Sequence, residues 1–287
     1  MELALGTVQF GLPYGIAGRS ARVTDQEARR ILEVAWAAGV RLLDTAPVYG
    51  DIEERLADLI DGRGFRIISK VAPVPESADV AAVAAHVEEG IGASRRRLGA
   101  ALAGLLFHRA ADLLDDNGAD IWNVADAAAR RHGIALGVSC YSPEELGDVR
   151  RRFAPTIAQM PGNALDQRAA RAVESGALRG VELHLRSAFL QGLLLMEEGD
   201  VAARHPKALP AVRRWRGWCV TQGLEPLRAA LCISKGMPGV THVVVGVDSA
   251  AQMEEIVRVW DAARPMSAPE LACSDVDVID PRTWSKR

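Results

Sequence analysis

The sequence lacks the features that mark several large classes of protein. Its four cysteines, Cys140, Cys219, Cys232 and Cys273, are widely spaced and form no CxxC pair. This spacing argues against a disulfide framework or a metal site and favours a reducing cytoplasm. No apolar run approaches about 18 residues, so we expect no membrane span. The N-terminus has no basic segment followed by a long apolar one, so it does not read as a signal peptide.

Charge of one sign is not concentrated anywhere along the chain. The 34 basic and 37 acidic residues give a net charge of −3. Proteins that bind nucleic acid usually carry a basic stripe, so nucleic acid is not an expected partner. No linker or low-complexity stretch divides the chain. We therefore predict a single domain over residues 1–287, with an irregular tail from about residue 264.

Short apolar runs alternate with amphipathic helix candidates along nearly the whole chain. Continuously apolar strands are typical of a parallel sheet that is covered on both faces. About eight strand–helix units can be traced, which predicts an α/β fold of the (β/α)8 TIM-barrel type. An open doubly wound sheet is the alternative, but Gly6-Thr7-Val8-Gln9 supplies no GxGxxG motif after the first strand. The predicted strands are Leu3–Val8, Val40–Thr45, Phe65–Val71, Ala101–Phe107, Ile134–Val138, Thr156–Gln159, Val181–Arg186 and His242–Gly246.

Four polar residues stand at or just beyond the ends of three successive predicted strands. Asp44 and Tyr49 follow the second strand, Lys70 ends the third and His108 follows the fourth. Each alone has an ordinary structural explanation, such as a helix cap, a solvated strand end or a satisfied core histidine. The C-terminal ends of parallel barrel strands meet at one face, where active sites form. We therefore expect the four side chains to converge.

These residue types suit proton transfer to a carbonyl oxygen. A phenol titrates near 10, which is high for efficient proton transfer at neutral pH, and a nearby ammonium group would lower that pKa. A carboxylate beside the lysine would keep the ammonium group charged, and a neutral imidazole could orient a carbonyl by donating to it. None of the four side chains is a reductant, so a reduction would need a bound cofactor.

The motifs around these residues resemble those of the aldo-keto reductase superfamily. The runs LDTAPVYG, ISK and LLFH carry Asp44, Tyr49, Lys70 and His108 in the order and approximate spacing of that family's tetrad. The resemblance implies a barrel that binds NADPH, less often NADH, without a Rossmann fold, and that reduces an aldehyde or ketone, including sugar-like ones. It also implies that Tyr49 is the general acid, that Lys70 and Asp44 tune its pKa, and that His108 orients the carbonyl.

The same resemblance implies where the cofactor binds. It covers the first strand, the strand that ends at Ser139, the loop after the seventh strand and the segment after the eighth. The residues implied are Ser139 and Gln159 at the nicotinamide amide, Gly6 and Thr7 under its ribose, Arg186 at the nicotinamide face, Ser187, Phe189, Gln191 and Gly192 along the pyrophosphate, and Gly246, Asp248, Gln252 and Glu255 at the adenosine half.

The sequence departs from the family pattern at three places. Cys140 replaces the asparagine that usually follows the serine, and a thiol is a poor partner for an amide. Arg186 replaces an aromatic residue, so it could stack on the nicotinamide or hold an anionic group of the substrate. Asp248 would repel a 2′-phosphate but can accept from a 2′-hydroxyl, although Lys235 or a distal arginine could compensate. We expect NADPH, with NADH as the alternative.

Two other functions remain open at this point. One is a catalytically weak nucleotide-binding regulatory subunit on the same barrel, resembling the potassium-channel β-subunits. The other is a barrel lyase or isomerase that uses no nicotinamide. Family members are often monomers, so we expect a monomer or a weak homo-oligomer.

Overall fold

The computed structural model describes residues 1–16, 21–75, 79–174, 176 and 178–284. Its strands pair in parallel and in chain order, and the last strand pairs with the first to close a barrel. The predicted (β/α)8 fold is therefore confirmed, and each predicted strand end lies within two residues of the observed one. The strands are β1 Glu2–Gly6, β2 Leu42–Asp44, β3 Arg66–Val71, β4 Leu102–Phe107, β5 Ala135–Ser139, β6 Ile157–Pro161, β7 Glu182–Arg186 and β8 Val240–Val245.

Helices surround the barrel and bury one apolar face each against the strands. In the helix after β1, Thr24 caps the N-terminus by accepting a hydrogen bond from the Glu27 amide at 3.3 Å. The helices are α1 Val8–Gly11, α2 Asp25–Ala37, α3 Ile52–Leu59, α4 Val80–Leu98, α5 Ala111–Leu114, α6 Gly118–His132, α7 Pro143–Arg152, α8 Arg168–Glu174, α9 Glu198–Arg204, α10 Leu209–Gln222, α11 Pro226–Gly236, α12 Ala250–Ala262 and α13 Val276–Ile279. Short 3₁₀ turns span Gly99–Ala101, Leu190–Leu195, Pro206–Ala208, Pro269–Leu271 and Pro281–Thr283. No helix of the described residues is long and apolar enough to cross a membrane.

The interior of the barrel is apolar at mid-height and polar at both ends. Because alternate residues of a strand face the interior, the residue two positions after Leu42 on β2 is Asp44, and the one two positions after Ile68 on β3 is Lys70. These two polar side chains therefore lie above the apolar layer, at the C-terminal end of the barrel. The apolar layer is formed by Ala4, Leu42, Ile68, Leu106, Ile157 and Val244.

A buried acidic residue fixes the strand that carries the lysine. Glu53 of α3 is 2% exposed, and its carboxylate accepts hydrogen bonds from the hydroxyls of Ser69 on β3 and Ser94 on α4. Arg97, at the end of α4, adds an ion pair to Glu53 at 3.3 Å. Two helices are thus tied to β3 at the residue preceding Lys70.

A second polar cluster lies at the N-terminal end of the barrel, on β7 and β8. The Glu182 carboxylate is 2.9 Å from His184 Nε2 and 3.0 Å from His242 Nδ1. These ligand-type atoms lie within 4.8 Å of one another. The carboxylate already bridges both imidazoles by hydrogen-bond distances, which gives the cluster a structural explanation. That the protein carries no metal stays a prediction.

The tail that the sequence predicts to be irregular contains only short helical turns in its described residues, 264–284. It is attached to the barrel by backbone hydrogen bonds, from the Met266 amide to the Cys232 carbonyl at 3.0 Å and from the Cys273 amide to the Leu165 carbonyl at 2.9 Å. Further along, Arg282 packs against the ring of Tyr141 at 3.5 Å. The tail therefore reaches the C-terminal end of the barrel, where the candidate site lies.

Candidate active site

Asp44 and Lys70 form a buried ion pair at the C-terminal ends of β2 and β3. The Lys70 ammonium group lies 2.9 Å from each oxygen of the Asp44 carboxylate and donates to the Thr45 carbonyl at 2.9 Å. Both residues are almost inaccessible, with 2% exposure for Lys70 and 6% for Asp44. Three acceptors around one ammonium group hold its position and its charge. The predicted pairing of these two residues is present in the structure.

Gln159 also contacts this pair, which differs from the position that the resemblance implies. Its side-chain amide donates to the Asp44 carboxylate at 2.8 Å, and the residue is 1% exposed. One of the two N–H donors of the Gln159 side chain is therefore used within the protein. Its oxygen remains for holding a nicotinamide amide, a role that stays a prediction.

Tyr49 is held by a close approach of two loops. Its amide donates to the Ala46 carbonyl at 3.0 Å, closing the turn after β2. The loop that follows β1 lies directly on this turn, since a Cβ atom at Gly11 would come within 1.7 Å of the Tyr49 carbonyl oxygen. Gly50 has a φ of +67°, in the left-handed region that favours glycine. Glycines on both sides are thus needed to place the phenol.

The electrostatics around Tyr49 differ from the sequence prediction. Burial and the neighbouring Asp44 carboxylate raise the pKa of Tyr49 well above its ordinary value, and Arg186 acts in the opposite direction. The pKa of Tyr49 is thus raised overall, and a lowering contribution from Lys70 stays a prediction. Lys70 lies 5.5 Å from the centre of the phenol ring, but its charge is largely offset by Asp44. The phenol remains protonated at neutral pH.

His108 lies beside Tyr49 and is uncharged at neutral pH. The two rings are perpendicular, with centroids 6.2 Å apart. Burial, followed by the Lys70 charge, lowers the pKa of His108 to about 4. A neutral imidazole can donate one hydrogen bond without carrying charge. The structure therefore brings all four predicted tetrad residues to one end of the barrel.

A cavity of about 520 Å³ opens beside the tetrad. Asp44 and Tyr49 line it, as do most of the residues predicted to bind a cofactor. Ser139 is the exception, because it is 3% exposed and does not line the cavity. The predicted cofactor residues that line it are Gly6, Thr7, Gln159, Arg186, Ser187, Phe189, Gln191, Gly192, Gly246, Asp248, Gln252 and Glu255.

The loop after β7 lines this cavity with strained backbone. Ser187, Leu190 and Gln191 have φ values of 61°, 48° and 54°, in the left-handed region that costs a non-glycine residue energy. Gly192 follows with a φ of 93°. Left-handed residues turn successive backbone N–H groups toward one side, a geometry that is found at anion sites. The strain is therefore concentrated where the resemblance implies a pyrophosphate.

The end of the cavity where the resemblance implies the adenosine half is acidic among the described residues. Asp248 and Glu255 line it, and the Gln252 side chain accepts from the Asp248 amide at 2.7 Å. Lys235, which could have balanced these acids, instead lies against the Trp260 ring at 4.3 Å and donates to the Trp260 carbonyl. Lys235 therefore does not compensate for the acids.

The sequence interpretation missed several residues that line the cavity. Tyr14 lines it near the loop after β7, where the Gln191 side chain donates to its hydroxyl at 3.3 Å. Gln9 lines it beside Gly246, and its Oε1 atom is buried without a hydrogen-bond partner among the described residues. The chain has only three tyrosines, and this scarcity is the sequence signal that could have drawn attention to Tyr14 and Tyr141.

The C-terminal end of this closed parallel barrel carries a buried lysine–carboxylate pair, a phenol and a neutral imidazole. These are the groups that the carbonyl reduction expected from the sequence requires. Residues 2–272 match the model of the aldo/keto reductase family. The chain belongs to that family, so the resemblance seen in the sequence is confirmed.

Solved structures agree with this fold. A structure from Pseudomonas aeruginosa assigned to the aldo-keto reductases is 25% identical, with a TM-score of 0.66 and coverage of 90% of this chain and 88% of that one. The holo form of an aldo-keto reductase from Bacillus halodurans is 20% identical, with a TM-score of 0.74 and coverage of 98% and 95%. A glycerol dehydrogenase from Gluconobacter oxydans is also 20% identical, with a TM-score of 0.68 and coverage of 93% and 88%. No curated protein sequence matches significantly.

Proposed function

We propose that the protein is an NAD(P)H-dependent reductase that converts an aldehyde or ketone, including sugar-like ones, to an alcohol. The observation that carries this proposal is that Asp44 and Tyr49 line a large cavity, with Lys70 paired to Asp44 and His108 packed beside Tyr49. Tyr49 alone of the four combines a neutral, protonated oxygen with a place on the cavity wall. It is therefore the proton donor of the proposed reaction.

The other three residues prepare the site for this transfer. His108, neutral at pH 7 because its pKa is about 4, donates to the carbonyl oxygen and orients it toward the phenol. Lys70, held by Asp44 and the Thr45 carbonyl, places a fixed positive charge beside the ring. As the phenol gives up its proton, this charge offsets the Asp44 carboxylate that would otherwise oppose the developing phenolate.

The residues around the cavity fit a nicotinamide dinucleotide. The volume of about 520 Å³ lies within the range of ligand sites, and the left-handed loop from Ser187 to Gly192 offers backbone donors to phosphate oxygens. The buried, unpartnered Gln9 Oε1 atom offers an acceptor beside Gly246. When bound, the reduced nicotinamide supplies the hydride. We propose NADPH as the cofactor, with NADH as the alternative because of Asp248 and Glu255.

The decisive variant is Tyr49→Phe, which removes the phenol oxygen and keeps the ring. We expect turnover on a panel of aldehydes and ketones to fall by about 10²- to 10⁴-fold, the usual contribution of a positioned acid. Nucleotide binding, measured by fluorescence titration with NADPH and NADH, should persist. Tyr14→Phe is the matched control, because Tyr14 lines the same cavity but has no contact with Lys70 among the described residues.

The possible results separate the competing functions. Full activity of Tyr49→Phe would show that another group supplies the proton, and a loss confined to Tyr14→Phe would identify that group. Tight nucleotide binding with no turnover of any carbonyl by the wild type would instead favour a regulatory subunit. The absence of any fluorescence change with either nucleotide would favour a lyase or isomerase.

A further inference from the structure

Arg186 is the one basic side chain among the described residues that line the cavity. It stands at the C-terminal end of β7. The other charged groups on the cavity wall are all acidic: Asp44, Glu197, Asp200, Asp248 and Glu255. Asp44 is already paired with Lys70. Among these side chains, Arg186 alone therefore carries a charge that attracts an anion.

The charge of Arg186 is not neutralised by the protein. Its guanidinium carbon lies 4.2 Å from the centre of the Tyr141 ring, and one nitrogen donates weakly to the Cys140 carbonyl at 3.5 Å. No carboxylate among the described residues pairs with it. Most of its five N–H donors therefore remain for a ligand, in a planar group that matches the two oxygens of a carboxylate or phosphate.

Arg282 shows what a structural arginine at the same place looks like. Its guanidinium carbon lies 3.5 Å from the centre of the same Tyr141 ring. Unlike Arg186, it binds the Asp280 carboxylate through Nε at 3.0 Å and through a terminal nitrogen at 2.6 Å. Both arginines pack against the Tyr141 ring, but Arg282 is paired with the Asp280 carboxylate, whereas Arg186 has no carboxylate partner among the described residues.

Arg186 and the proposed proton donor Tyr49 line the same cavity. Arg186 also acts against the rise in pKa that burial causes at Tyr14 and Tyr49. A substrate in this cavity therefore has both side chains on its wall.

We propose that Arg186 binds an oxyanion of the substrate, so that the carbonyl compound reduced here carries a carboxylate or a phosphate. This inference rests on the proposed function. The alternative ligand for Arg186 is the cofactor, either its nicotinamide ring or its pyrophosphate. Assignment of Arg186 to the substrate and assignment to the cofactor lead to different expected results for the Arg186→Met variant.

The test compares each anionic carbonyl with its neutral counterpart. One pair is succinic semialdehyde and butanal, and the other is glyceraldehyde 3-phosphate and glyceraldehyde. For the wild type we expect kcat/KM to be at least about 10-fold higher for an anionic member. In Arg186→Met this ratio should fall by about 10- to 100-fold, with Arg186→Lys between the two. A preference for succinic semialdehyde would identify a carboxylate as the group that Arg186 binds, and a preference for glyceraldehyde 3-phosphate would identify a phosphate.

The control is Arg282→Met, which removes the neutralised arginine from the same tyrosine and should leave the ratio unchanged. The dissociation constant for the nucleotide, from fluorescence titration, should be unchanged in Arg186→Met. Weaker nucleotide binding by Arg186→Met, together with an equal loss of kcat/KM on both members of a pair, would assign Arg186 to the cofactor and overturn the proposal. A wild-type ratio near one would overturn it as well.

A separate measurement keeps the proposal testable if no carbonyl is reduced. Binding of the unreactive anions succinate and inorganic phosphate is followed by calorimetry, with wild type and Arg186→Met compared in the presence of nucleotide. At least one anion should bind the wild type and lose about 10-fold or more in affinity in the variant. Equal binding would refute the anion site, whereas turnover of neutral aldehydes alone would leave the reductase function intact.

Discussion

Replacing Lys70 by methionine tests whether the buried ion pair holds the site together. The change removes an ammonium group that lies 2.9 Å from both oxygens of Asp44 and from the Thr45 carbonyl. The Asp44 carboxylate would stay buried, at 6% exposure, with only the Gln159 amide at 2.8 Å as a side-chain donor. An uncompensated buried charge of this kind costs about 3–5 kcal/mol. We expect the free energy of unfolding to fall by that amount.

The double variant Asp44→Asn/Lys70→Met separates loss of charge balance from loss of packing. It removes both charges, so it should be more stable than Lys70→Met alone, even though it carries one more substitution. Both variants can be compared with the wild type by urea unfolding that is followed by circular dichroism. Lys207→Met is the matched control, because the Lys207–Asp277 pair is as short, at 2.7 Å, but is exposed at 69% and 44%. That variant should cost less than about 1 kcal/mol.

The reasoning is refuted if Lys70→Met costs no more than Lys207→Met. It is also refuted if the double variant is no more stable than Lys70→Met alone. In the first case water or a local rearrangement would solvate Asp44 in the variant, and the ion pair would not be what holds Lys70 beside Tyr49. In the second case the two side chains would not be coupled at all.

Two further predictions concern His108 and the loop that holds Tyr49. Folding lowers the pKa of His108 to about 4 from an ordinary 6.5, so the unfolded chain binds more protons than the folded chain between these pH values. Stability is therefore lost as the pH falls through this interval, by about 3 kcal/mol at most. The urea midpoints of His108→Asn should decline less than those of the wild type between pH 7 and pH 4, and parallel profiles would contradict this. Gly11→Ala places a Cβ 1.7 Å from the Tyr49 carbonyl oxygen, so thermal unfolding should show a loss of several kcal/mol. Gly147→Ala, in an open place on α7, should be neutral or stabilising by up to about 1 kcal/mol; a Gly11 variant as stable as this control would disprove the close loop contact.

The strand pattern was predictable because burial on both faces leaves a local mark. Most residues of β1 to β8 are apolar, because a parallel sheet that is covered on both faces buries most of its side chains. The tetrad was predictable for the same reason. Asp44, Lys70 and His108 interrupt or follow such runs, and parallel strands bring their C-terminal ends together.

Contacts between distant segments were not predictable in the same way. Gln159 is 115 positions from Asp44, and its hydrogen bond to that carboxylate leaves no local trace in the sequence. The raised pKa of Tyr49 is similar, because it depends on burial and on the summed charges of Asp44 and Arg186. The sequence interpretation expected a nearby ammonium group to act in the opposite direction.

The barrel and the family could be predicted from the sequence, since they follow from local patterns of polarity and from motif order, and the four residues proposed for the site were singled out in the same way. How those groups are charged and partnered became visible only in the folded chain. It showed that Lys70 is neutralised by Asp44 and that Arg282 is neutralised by Asp280, whereas Arg186 keeps its charge toward the cavity. The physical reason is that electrostatic energy depends on distance and burial, which the fold sets between residues far apart in the chain.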